Sequence, residues 1–197
     1  MIDVPRFCLH ETPLSRIFIG RSVATVAELA FVAQWALLMR EAGAVRAARL
    51  VVPLIAGAEV LSWIAVLTRS DLFHALENGT WTLVAAFAVS FLASRWRYEG
   101  PNGRQVILAA AGAAAAYIVF MVAYVVPMYL SRWLGGEATL TFAQGLAEVL
   151  RPCIVQRDWS LWWQDAAWLT PYFTLCVWFS LSLAHVPDLT ATARRHE

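Results

Sequence analysis

Lysine is absent from this chain: all fifteen basic residues are arginine. That excludes Schiff-base and lysine-nucleophile chemistry. Charge of either sign is scarce, at 15% of residues, against about 25% in a soluble domain. The formal net charge is only +1, so there is no basic field that would hold nucleic acid. Cysteine is confined to Cys8, Cys153 and Cys176, with no CxxC, and the four histidines form no HxxxH or ExxH pair. Neither a structural zinc nor another metal site of the usual kinds is expected. P-loop, Rossmann, serine-protease and GxSG signatures are missing too, so no cofactor is implied.

Apolar surface is what the chain has in excess. Hydrophobic residues make up 60% of it, and the mean hydropathy is +0.59. Five stretches have the roughly 20 mostly apolar residues that a membrane-crossing helix needs: residues 21–39, 50–68, 78–94, 105–131 and 161–186. Runs of this length do not alternate as barrel strands do. The expectation is an all-α integral membrane protein: one polytopic domain over residues 1–197, built as a bundle of five transmembrane helices. The first stretch contains Glu28 and lacks a small-x-small cleavage site, and so reads as a retained span. Gly112 and Ala116 form a small-xxx-small pair, expected to mark close helix packing.

The fourth loop, from Arg132 to Ser160, is the one long connection. In it Phe142, Leu146, Val149 and Leu150 recur at i, i+4, i+7 and i+8, and Pro152 ends the run. This predicts a short amphipathic helix, either interfacial on the membrane surface or packed as a loop helix. With five spans, the N-terminus and the second and fourth loops share one face, A; the first and third loops and the C-terminus share the other, B. The short B loops carry Arg40, Arg46, Arg49, Arg95, Arg97 and Arg104. The arginine density assigns face B to the cytoplasm, with the N-terminus outside and the C-terminus inside a plasma (inner) membrane. Cys8 and Cys153 then share the oxidising face, where a disulfide or two free thiols would fit. Cys176 lies mid-span and reads as a packing residue.

Three acids interrupt the lipid-soluble runs. At a helical rise of 1.5 Å per residue, Glu28 lies about 12 Å, Glu59 about 13 Å and Asp165 about 6 Å from face A. Asp71 and Glu77 are expected to flank the second and third spans at the A surface. Arg21, Glu28 and Trp35 repeat every seven residues and share a stripe with one another; Ser62 and Trp63 stand one turn from Glu59. Trp162, Trp168 and Tyr172 surround Asp165, and Tyr124 and Trp81 reach the same half of the bundle. The pattern describes an aromatic-walled pocket opening to face A, with Glu28, Glu59 and Asp165 inside. Its bland counterpart is an aromatic belt with helix-pairing acids.

Carboxyl groups in an apolar pocket suit general acid–base work, and tryptophan faces stabilise a cation. One reading is an enzyme acting on an isoprenoid or other lipid-like small molecule. Glu28 and Glu59 would be acid and base and Asp165 an orienter; Trp63, Trp81, Tyr124, Trp162, Trp168 and Tyr172 would form the wall. The alternatives are proton- or cation-coupled transport, lipid binding, or a structural subunit of a homodimer or larger membrane complex.

Overall fold

The computed structural model describes residues 7–184 apart from 99 and 137, together with most side chains in that range. The chain is mostly helical and forms a helical bundle. The helices are α1 (Ile17–Glu41), α2 (Val45–Thr68), α3 (Asp71–Arg95), α4 (Pro101–Phe120), α5 (Val126–Leu134), α6 (Phe142–Leu150) and α7 (Trp159–Ala184). The segments Ile17–Glu41, Val45–Thr68, Asp71–Tyr98 and Gly103–Leu134 are each long and apolar enough to cross a membrane. Their large outward side chains, among them Val23, Val26, Leu50, Val60, Leu108 and Val119, are exposed aliphatics that an aqueous surface does not favour.

Local chemistry sets the turns. Gly43, at φ +85°, supplies the left-handed residue that closes α1; the Ala44 N–H reaches back to the Met39 carbonyl at 2.8 Å. Arg69 ends α2 in the same left-handed region, at φ 53°. Pro101 starts α4 where its missing N–H costs nothing. The α4–α5 rod is continuous but widens into a π turn at Met121–Val125, just before Pro127. A proline has no N–H to give and crowds the carbonyl four residues back, and the wider turn makes room for it. It also aligns the rod. Residues four apart drift by about 40° in an α-helix, and the π turn takes back part of that drift. Met121, Val125 and Tyr129 are thereby all buried.

Two apolar clusters hold the bundle. Val32, Ala36 and Met39 of α1 meet Ala48, Val51, Ile55 and Ala58 of α2 and Val84 and Phe91 of α3. The small alanines let these helix backbones approach closely. The second cluster joins Ala75 of α3 to Met121, Val125 and Tyr129.

On face A, α6 begins with a capping box: the Thr141 hydroxyl accepts from the Gln144 N–H while the Gln144 side chain accepts from the Thr141 N–H. One side of α6, with Gly145 and Val149, is buried, and Gly145 lies against the backbone of Leu67. Phe142, Leu146 and Leu150 stay exposed, so the expected stripe is divided, with Val149 turned inward. The Leu140 N–H donates to the Thr68 carbonyl at 2.7 Å and fixes where the linker crosses α2. Short strands β1 (Phe7–Cys8) and β2 (Ile154–Val155) pair in parallel, and a disulfide joins Cys8 to Cys153. Before α7, Asp158 accepts from Ser160; that hydroxyl and its N–H hold the Asp158 carboxyl below the usual aspartate range.

Two expectations are corrected. Helix α3 starts at Asp71, ahead of the expected span at 78–94, and Asp71 and Glu77, expected to flank the spans at the surface, are buried within it. Gly112 does not mark a close contact, because a β-carbon there would meet nothing within 4 Å.

Candidate functional site

The polar groups that three helices bring together lie toward face A, above the α1–α2–α3 apolar cluster. Arg21, one turn into α1, reaches across both neighbours: its Nη2 is 3.0 Å from Glu59 Oε2 on α2 and 3.3 Å from Glu77 Oε1 on α3. One turn further along α1, the Thr25 hydroxyl donates to Glu59 Oε2 at 2.6 Å and accepts from Trp63 Nε1 at 3.2 Å. Phe18 packs edge-on against Trp63 at 5.7 Å between ring centroids. The next turn of α1 presents Glu28, whose carboxyl lies within hydrogen-bonding reach of the Glu59 carboxyl. Such a bond forms only when one of the two carries the proton.

Glu77 has a second partner. His74 Nδ1 is 3.3 Å from Glu77 Oε2, and the His74 ring stacks on Tyr129 of α5 at 4.9 Å. Tyr117 of α4 is close enough to feel the charges of both Glu28 and Glu77. The cluster thus touches α1, α2, α3 and the α4–α5 rod. Glu59 is only 3% exposed and Ser62, one turn on, 1%. Ser62 Oγ and Glu59 Oε1 accept from no amide, hydroxyl or cationic donor among the described residues.

Charge decides what such a cluster can do. One guanidinium faces three carboxyl groups, Glu28, Glu59 and Glu77. Buried charge persists only when paired and hydrogen-bonded. Arg21 can balance one carboxylate, so the others must share protons, draw on His74 as a cation, or hold a cation.

Of the expected site residues, Glu28, Glu59 and Trp63 are brought together. Trp81 is partly buried against the α1–α2–α3 apolar cluster. Tyr124 is 57% exposed on the outside of the rod, stacked on Phe120 at 5.6 Å. Trp162 donates to the Gln156 carbonyl at 2.7 Å, which fastens the start of α7 to the linker. The side chains of Asp165, Trp168 and Tyr172 lie outside the described residues. Glu77 was expected only as a flanking acid at the A surface, and His74 and Thr25 were missed by sequence reasoning. The signal for His74 and Glu77 was the helical spacing of Asp71, His74 and Glu77 directly after Ser70, a residue suited to starting a helix; that for Thr25 was its place one turn after Arg21. Among the described residues no group of three metal-ligating side chains is gathered.

Comparison with known protein families, with characterised proteins and with solved structures finds no match.

Proposed function

We propose that this chain is a five-span membrane protein whose Glu28–Glu59 carboxyl pair is an acid–base centre working on a hydrophobic, isoprenoid- or lipid-like substrate. The observation that carries this reading is the contact of two carboxyl groups beside a single arginine already engaged by Glu59 and Glu77. A pair that shares one proton can give it to one face of a substrate and take another back, the core of a double-bond isomerisation or cyclisation. Arg21, Thr25 and Glu77 are positioning residues in this scheme, and Trp63 is part of the wall. Helix α7 is the fifth span, the N-terminus lies outside and α6 rests at the membrane surface. The Cys8–Cys153 disulfide supports an oxidising face A.

Deuterium transfer tests it across a whole pool of candidate substrates at once. The purified chain in deuterated water is incubated with membrane lipid extract, and the lipids are weighed by mass spectrometry. The expected result is a lipid species gaining deuterium with the wild type and not with Glu28→Gln. No enrichment in any lipid, with Glu28→Gln matching the wild type, ends the proposal. A second reading is favoured by Arg21 bridging three helices: the cluster as a clamp with no chemistry. It expects Glu28→Gln and Glu59→Gln to lower the yield of folded protein, where the enzymatic reading expects abundant, inactive protein.

A further inference from the structure

The end of the bundle away from this cluster carries a second feature. Between α1 and α2, next to their tight turn, lies a groove of about 310 Å³. Its floor is made by alanines, with Ala36 and Ala48 buried and Ala33 at the deep end; Val52 forms a side wall. Small side chains leave the room that larger ones on both helices would fill. At the mouth stand Arg40, the last turn of α1, and Arg49, the second turn of α2. From Arg40 to Ala33 the groove descends about 10 Å along the helix.

The two arginines are exposed, and neither has an acidic partner among the described residues. Arg46, in the first turn of α2, adds a third positive charge at this end, against Glu41 alone between residues 40 and 49. Both helices are long and apolar enough to cross a membrane, so a groove in their flank opens to lipid and its mouth to the headgroup layer. Two guanidiniums with no acidic partner among the described residues, above an alkyl-lined trough, complement an anionic amphiphile. Guanidinium binds phosphate oxygens in bidentate fashion, and basic pockets between spans hold acidic lipid headgroups. A free phosphate would use the arginines and leave the trough empty; a zwitterionic lipid would use the trough and gain little from the arginines.

We propose that the α1–α2 groove is a binding site for one anionic phospholipid, with its phosphate on Arg40 and Arg49 and the start of an acyl chain over Ala36 and Ala48. The site is independent of the acid–base centre, and so is its test. The full chain in mild detergent is equilibrated with equal concentrations of phosphatidylglycerol and phosphatidylcholine of the same acyl chains, and bound lipid is counted by native mass spectrometry. Glycerol phosphate is assayed separately. The wild type is expected to hold one phosphatidylglycerol with a preference of roughly twenty-five-fold, about five-fold for each arginine. Arg40→Gln with Arg49→Gln should bring the two lipids level. Ala33→Leu, which fills the deep end and keeps both arginines, should release the lipid. Equal retention of both lipids by the wild type overturns the proposal and needs no variant. So does a preference that survives the double substitution, or glycerol phosphate binding as tightly as the lipid.

Discussion

A β-carbon at position 145 would overlap the carbonyl group of Leu67, because α6 lies directly on the last turn of α2. The obstacle is backbone, which cannot step aside as a side chain tip can. Gly145→Ala is therefore expected to cost about 1–3 kcal/mol, the range for overpacking a filled site. The measure is the thermal midpoint in detergent. Gly57→Ala is the control: open space surrounds Gly57, and alanine gains up to about 1 kcal/mol of helix propensity there. Equal midpoints for the two variants would remove the α6–α2 contact as a stabilising feature. Arg21 is the second position where one side chain decides much. Arg21→Ala leaves the Glu59 and Glu77 carboxyls buried without their guanidinium, and breaking a buried pair costs about 3–5 kcal/mol. Adding Glu59→Gln and Glu77→Gln to Arg21→Ala removes the uncompensated charge and should restore a good part of the midpoint. If the triple variant is no more stable than Arg21→Ala, the loss arises from packing and not from charge.

At the scale of whole elements, the long apolar runs of α1, α2 and the α4–α5 rod could be read directly, because composition alone separates them from loops. The start of α3 could not. Hydropathy scores each side chain as if it entered lipid alone, so Asp71, His74 and Glu77 were trimmed from a helix in which Glu77 is already paired with Arg21 and His74. The site was legible to the same degree. Depth along a helix placed Glu28 and Glu59 in one half of the bundle, and heptad spacing put Arg21 on the same stripe as Glu28. Depth gives no azimuth, however, and Tyr124 sits at a suitable height on the wrong side of its rod, where the π turn sets the register. The element whose role was least visible is the linker. It carries α6 and β2 and is tied to the N-terminal strand by Cys8–Cys153, across 145 residues of sequence. Closing a loop of that length restricts the unfolded chain by an amount worth about 2–4 kcal/mol in typical cases. Cys8→Ser with Cys153→Ser is expected to lower the unfolding midpoint, and reductant should lower the wild type to the same value. A midpoint indifferent to reductant would mean that the β1–β2 pairing and α6 docking hold the linker unaided.

For the whole molecule, the polar cluster and the arginine-flanked groove lie at opposite ends of the same α1–α2 pair, and that separation gives the bundle a direction. Arg40, Arg46, Arg49, Arg95, Arg97 and Arg104 lie in the two short turns at the groove end and in the helix ends that flank them. The cystine, α6 and the exposed Trp159 and Trp163 lie at the other. Arginine-rich short loops stay on the cytoplasmic side, a disulfide persists on the oxidising side, and exposed tryptophans collect at a headgroup layer. The first two preferences are physically separate and support the same proposed orientation, and the third fits a headgroup layer at that end. If the groove end is cytoplasmic, Arg46→Cys at an exposed position, in a Cys8→Ser, Cys153→Ser, Cys176→Ser background, should resist a membrane-impermeant maleimide in intact cells and react once they are permeabilised. Gln144→Cys, exposed on α6, should react in both. The reverse pattern would turn the bundle over, placing the carboxyl pair toward the cytoplasm and the groove in the outer leaflet. It would also put the cystine in a reducing compartment, where it should not persist, so the same cells would show Cys8 and Cys153 of the otherwise wild-type chain reacting as free thiols.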